Sequence, residues 1–341
     1  MGVVADAMDR KKIVLFGLLL ASAASTTVAV LSLFGALSMW HLCAAALASG
    51  VVYATEMPAR RRMIAEAAGA SMASRAVAVD SMTNYATRCI GPLLGGWIYG
   101  TLGVATSYSL SAAASLFAAS LISRLETIQA TTAGFALFRI REDLVEAWRY
   151  ARDSRTITAL LIVTIITNLC GYSYNVLLTP LGKETFTLSA FMIGVLSSAE
   201  PAGSFVAGAV IGSARIPGRC LCWLLGGSTL FFLAIGIAGF AGAHHSSLGM
   251  LLLILFIGGL GSAAYNIYQT TIVIETVPAG MRSRVFGLVT VGIGCWPLGT
   301  LLAGALATVF GPAGALLVLG VTGIAGNGLL ALRAASAKSR G

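Results

Sequence analysis

An all-α polytopic membrane fold is what this sequence predicts, on three observations. Only 10% of its 341 residues are charged and 57% are hydrophobic, against about 25% charged in a soluble domain. Mean hydropathy is +0.88. The apolar residues gather in runs of about 20, the length a helix needs to cross the hydrocarbon core. Together these exclude an ordinary cytosolic enzyme, a disordered chain and a disulfide scaffold.

Taken in order, the runs predict ten transmembrane helices, over 13–34, 36–55, 76–100, 102–123, 156–178, 187–212, 220–243, 247–274, 285–309 and 313–332. Each is too long for a membrane β-strand of about 9–11 residues. The longest polar stretch divides them four and six. This gives an N-terminal bundle at 1–123, a cytoplasmic linker at 124–155 and a C-terminal six-helix bundle at 156–341. Within the linker, Phe138, Ile140, Leu144, Val145, Trp148 and Ala151 recur at helical spacing. An amphipathic helix in the headgroup region and a solvated connector both satisfy that pattern.

Basic residues set the orientation. With the N-terminus in the cytoplasm, 20 of the 22 Lys and Arg fall in cytoplasmic segments, Lys183 falls outside and Arg88 lies within a span. Short loops keep Lys and Arg on the cytoplasmic side, so the expectation is a multi-pass protein of the cell (inner or plasma) membrane with both termini inside. The net charge of +9 then reflects topology and anionic lipid, and nucleic acid is not an expected partner. Asp6, Asp9 and the basic run after them leave no cleavable signal peptide. The six cysteines are scattered and read as small apolar filler, so no metal and no cofactor is expected.

The two parts resemble each other at an offset of 208–209 residues: Arg10 matches Arg219, Arg75 matches Arg284, Gly96 matches Gly304 and Gly103 matches Gly311. Similar halves in one orientation are how many secondary transporters are built. Four spans against six implies two helices missing from the first part.

Two motifs carry a family resemblance. Gly2, Asp6 and Arg10-Lys11-Lys12 read G-x-x-x-D-x-x-x-R-K-K, which resembles the signature loop between helices two and three of the major facilitator superfamily. Gly91-Pro92-Leu93-Leu94-Gly95-Gly96 resembles the G-P-x-x-G-G motif on helix five of its drug/proton antiporters. In that motif Pro92 frees a carbonyl, and the glycines permit close helix packing. A degenerate second loop at 212–219 lacks the aspartate. The stretches Asp80 to Pro92 and Arg282 to Gly299 are similar to the siderophore- and macrolide-exporter branch. The resemblance covers the chain as helices three to twelve and implies a two-bundle transporter with gating and packing roles for the motif residues.

Polar residues inside spans are the candidates for mechanism. Arg88 at mid-span costs about 2.5–3.5 kcal/mol to insert; it either lines the central cavity or pairs structurally with another helix. Asp80 shares its helical face near the cytoplasmic end. Glu200 stands in the middle of the sixth span. A carboxylate so placed suits proton coupling, because desolvation penalises its charged form; structural pairing, for instance with Arg88, is the alternative. The fifth span carries a stripe of Thr164, Thr167, Asn168, Gly171, Tyr172 and Asn175, and the eighth carries Ser262, Tyr265, Asn266 and Gln269. By the resemblance these spans are helices seven and ten, which line the superfamily's cavity. Interhelical hydrogen bonding would produce the same stripes.

No phosphate loop, H-E-x-x-H or G-x-S-x-G is present, so neither an enzyme nor an ATP-driven pump is expected. The leading expectation is a secondary transporter exporting a small organic, drug- or siderophore-like compound by proton antiport. Its partners would be that substrate, protons and the lipid bilayer, with no oligomer required. The alternatives are an importer of the same fold and a truncated, transport-inactive fragment.

Overall fold

A computed structural model describes residues 10–68, 72–124, 137–213 and 220–338. Gly2 and Asp6, and most of the 212–219 loop, lie outside the described residues. Among those described there are helices and turns and no strand. The contacts divide the chain into two units, one of residues 1–84 and 95–139, the other of 85–94 and 140–341.

The first unit holds α1 (Arg10–Leu33), α2 (Met39–Ala68) and most of α3 (Ala73–Ser123). Arg10 of the signature loop opens α1. Ile13 and Val14 pack with Leu18, Met63 and Ile122. The Ser22 hydroxyl donates to the Ala112 carbonyl at 3.2 Å. Such bonds hold helices together where lipid supplies no hydrophobic drive.

Seven helices among the described residues are long and apolar enough to cross a membrane. Two of them, Met82–Ser123 and Arg282–Leu332, run to 42 and 51 residues, twice what one crossing needs. They join the third span to the fourth and the ninth to the tenth. The first is broken at Gly103, φ 79°, and the second, after a short turn at 294–295, is broken at Gly311, φ 71°. Only glycine takes that conformation without strain, so the pair matched by the repeat marks a backbone break in both. The second expected span lies in α2, which is not among the seven; His41 and Glu56 interrupt its apolar run.

The second unit holds α4 (Leu137–Asp153), α5 (Arg155–Ile166), α6 (Asn175–Pro180), α7 (Ala190–Ser213), α8 (Cys220–Ala243), α9 (Leu248–Thr276), α10 (Arg282–Ile293) and α11 (Trp296–Lys338). Between α5 and α6 the chain passes through a π-helical stretch, Thr167–Gly171, and a 3-10 turn, Tyr172–Tyr174. Tyr174, Leu177, Phe231, Phe232, Leu255 and Leu316 form the core of this unit. Helices α7 and α9 meet backbone to backbone, because a Cβ on Gly203 would overlap the Phe256 carbonyl and one on Gly259 the Glu200 carbonyl. Helix α4 rests on the same unit through Ala147 and Ala151, 0% and 1% exposed. Its Tyr150 hydroxyl donates to the Thr276 carbonyl at 3.3 Å.

Candidate functional site: an ion pair and a polar zipper

Segment 85–94 of α3 carries Arg88, and α7 carries Glu200. Arg88 Nη2 lies 3.6 Å from Glu200 Oε2. Proline at 92 has no N–H to give the Arg88 carbonyl four residues back. The Pro92 carbonyl in turn lies against the Gly194 backbone, where a Cβ would overlap it. This backbone approach sets Arg88 beside α7. Gly91 and Gly95 make no such approach, since a Cβ at either would meet nothing within 4 Å; Gly96 is half-buried.

Glu200 is 1% exposed, whereas the Arg88 side chain is 37% exposed. Glu200 Oε1 accepts from the Ser204 hydroxyl at 2.9 Å, and that hydroxyl also lies 3.0 Å from the Gly259 carbonyl. Glu200 Oε2 is buried without a hydrogen bond, as is the Tyr174 hydroxyl. Tyr174 stands within electrostatic reach of both Glu200 and Arg88, and Tyr172 does too.

The polar stripes of the fifth and eighth spans face each other and are zipped together. Asn266 Nδ2 donates to the Tyr172 hydroxyl at 2.6 Å and to the Ser262 carbonyl at 2.9 Å. The Tyr172 and Ser262 hydroxyls are 3.1 Å apart. Gln269 Nε2 donates to Thr164 Oγ1 at 2.7 Å and to the Tyr265 hydroxyl at 2.6 Å. Asn168 Nδ2 turns back to the Thr164 carbonyl at 2.9 Å. Asn175 is half-buried and makes no side-chain hydrogen bond among the described residues. An open apolar groove of about 510 Å³ is lined by Cys89, Leu93, Val195, Ala199, Leu252 and Phe256 among others.

Asp80 belongs to the first unit, where its Oδ1 is 3.4 Å from Arg60 Nη2. Ser204 and Tyr174 were not singled out by the sequence. Ser204 follows Glu200 by four residues, so helical spacing could have found it. Tyr174 lies one residue before the stripe position Asn175, and the π turn upstream shifts the register that a regular helix would have kept. Asn327, 2% exposed, donates to Ser228 Oγ at 2.8 Å in a further buried pair that the sequence reading passed over.

The sequence matches the profile of transmembrane secretion effectors over residues 1–339. It is 28% identical over 293 residues to the enterobactin exporter EntS of Shigella flexneri, covering 85% of this chain and 67% of that one. It is 24% identical over 298 residues to the MFS-type transporter YfiS of Bacillus subtilis strain 168, covering 84% and 69%. Among crystal structures it resembles a POT family transporter with TM-score 0.70 at 10% identity, covering 98% of this chain and 85% of the other. It also resembles the human organic anion transporter MFSD10, with TM-score 0.64 at 18% identity, covering 96% and 79%. At these identities the structures establish the fold alone.

Proposed function

We propose, on the premise that this chain belongs to the transmembrane secretion effector family of major facilitator transporters, that it exports a small organic solute in exchange for protons. As a member of that family it is a multi-pass membrane transporter and not an enzyme. The observation that carries the coupled mechanism is Glu200, sealed from solvent and held by Arg88 and Ser204. A proton arriving from outside neutralises Glu200 and releases Arg88. Loss of that proton to the cytoplasm re-forms the pair and resets the site. Asp80, with Arg60 as its cation, is the second carboxylate offered for coupling.

In this reading Asn168, Tyr172, Asn175, Tyr265, Asn266, Gln269 and Arg88 supply the polar wall of the substrate path. Asn175 is the support for a ligand contact, since its amide is not already engaged. The other members would exchange zipper partners for substrate. The Gly2–Asp6–Arg10 loop serves gating; in the Gly91-Pro92 and Gly95-Gly96 segment the support for a packing role is the Pro92 carbonyl against the Gly194 backbone, not the glycines Gly91 and Gly95. We count the two glycine-broken elements as two crossings each and place both termini in the cytoplasm, on the strength of 20 of 22 basic residues falling there. The location is the cell membrane, and a single chain suffices.

The test uses purified protein in liposomes with an imposed pH gradient, acidic inside. Enterobactin is the first probe, because a relative is named for exporting it, and ethidium is the second. Accumulation against the concentration gradient that collapses with a protonophore supports the proposal. Protonophore-insensitive accumulation, or none of either probe while downhill exchange proceeds, contradicts proton-coupled export.

A further inference from the structure

Helix α4 has three different long faces. Leu144, Ala147 and Ala151 turn to the second unit, with Ala147 and Ala151 fully buried. At about 100° per residue, positions 141, 145, 148, 149 and 152 form the adjoining flank. Arg141, Val145, Trp148, Arg149 and Arg152 occupy it, and no acidic residue falls among them. Glu142, Glu146 and Asp153 form the next stripe round the helix, beside Arg149 and away from the buried face, and Glu146 Oε2 accepts from Arg284 Nη1 at 2.7 Å. On the basic flank Trp148 is 60% and Val145 43% exposed, and Arg149 and Arg152 are exposed.

Three contacts place this helix at the edge of the bilayer. It ends at Asp153, just before Arg155 opens an apolar span. Tyr150 bonds to Thr276, the last residue of the span Leu248–Thr276. Arg284, held by Glu146, lies in the first turn of the element Arg282–Leu332. The helix is therefore tied to the ends of three spans on one side, at headgroup depth. An exposed tryptophan with arginines beside it at that depth matches a layer of anionic phosphates over acyl chains.

We infer that the flank of Val145, Trp148, Arg149 and Arg152 is a docking site for anionic phospholipid. Trp148 and Val145 enter the glycerol region, and Arg149 and Arg152 take the phosphates. The contact fixes α4 against the bilayer and, through Glu146 and Arg284, fixes the start of α10.

The test follows Trp148 fluorescence in the whole protein with Trp40, Trp97, Trp223 and Trp296 changed to Phe. It is reconstituted in mixed phosphatidylcholine and phosphatidylglycerol vesicles in which one lipid or the other is brominated at the same mole fraction. Brominated phosphatidylglycerol is expected to quench about twofold more than brominated phosphatidylcholine, and Arg149→Gln with Arg152→Gln is expected to abolish the excess. Equal quenching by the two lipids, or an excess that survives the double substitution, overturns the inference. Should the four-Phe protein fail to fold, the difference in emission between the native protein and Trp148→Phe gives the same comparison.

Discussion

Arg88 Nη2 and Glu200 Oε2 are 3.6 Å apart, and the two partners differ sharply in their surroundings: the glutamate is sealed at 1% exposure while the arginine side chain keeps 37%. The pair is thus lopsided. Its carboxylate depends on protein groups for solvation, and its cation reaches a more open side. That imbalance is why the pair is taken as the coupling element in the proposed cycle.

Removing the cation tests that dependence. Breaking a fully buried pair from one side costs about 3–5 kcal/mol, and less here because Arg88 is partly exposed. Arg88→Ala is expected to abolish uphill accumulation of the probe while the protein still inserts. Arg88→Lys is expected to restore only part of it, since an ammonium lacks the planar fork of donors. Normal accumulation by Arg88→Ala would reassign the residue to structure.

The contact of α7 with α9 makes a prediction about stability. Gly203→Ala and Gly259→Ala each place a methyl on a neighbouring carbonyl, and overpacking of this kind costs about 1–3 kcal/mol or more. The thermal midpoint in detergent is expected to fall by several degrees, about 2–4 °C per kcal/mol for a chain of this order of size. Gly226→Ala in α8, where a Cβ would meet nothing within 4 Å, is expected to leave the midpoint unchanged or slightly raised.

The zipper and Asn175 are expected to separate in their effects. Gln269→Ala removes two interhelical or intrahelical bonds at a buried amide and is expected to lower stability by about 1–2 kcal/mol. Asn175→Ala breaks no side-chain bond, so stability is expected to hold while the apparent KM for the probe rises. Thermal melts and transport kinetics on the same preparations read both quantities. An unchanged KM for Asn175→Ala would remove it from the substrate path.

Much of this was legible in the sequence, and the reasons are local. Apolar run length and basic-residue placement are summed over many residues, so the helical membrane fold was readable. Arg88 and Glu200 stood out as charges in apolar runs, and their pairing was foreseen as one of two options. Other features depend on contacts that no local period encodes. Gly203 and Gly259 are ordinary small residues until the facing carbonyls are known. Both polar stripes were visible, but not that Tyr172, Ser262 and Asn266 spend their polar atoms on one another. The π-helical stretch Thr167–Gly171 left no mark in composition, and it carried Tyr174 into the ion pair's field unannounced. The breaks at Gly103 and Gly311 were marked by the repeat as turns, and each glycine is the non-helical residue that separates two helical stretches.

Orientation has its own test. A reporter active only outside the membrane is expected to be active when inserted at His245 and silent when fused after Arg340. The opposite pattern would reverse the proposed orientation, which rests on the placement of 20 of the 22 basic residues.

The most direct measurement compares uphill accumulation with downhill exchange for Glu200→Gln in the liposome assay. The amide keeps the shape of the side chain and its bond with Ser204, and loses the ability to titrate. Accumulation driven by the pH gradient is expected to vanish while exchange of preloaded probe continues at a rate near that of the native protein. Asp80→Asn run beside it tests the second carboxylate: loss of uphill transport assigns Asp80 a share of the coupling, and retained uphill transport removes it. If Glu200→Gln still accumulates probe against its gradient, Glu200 is not the coupling carboxylate and the account of the Arg88–Glu200 pair is wrong.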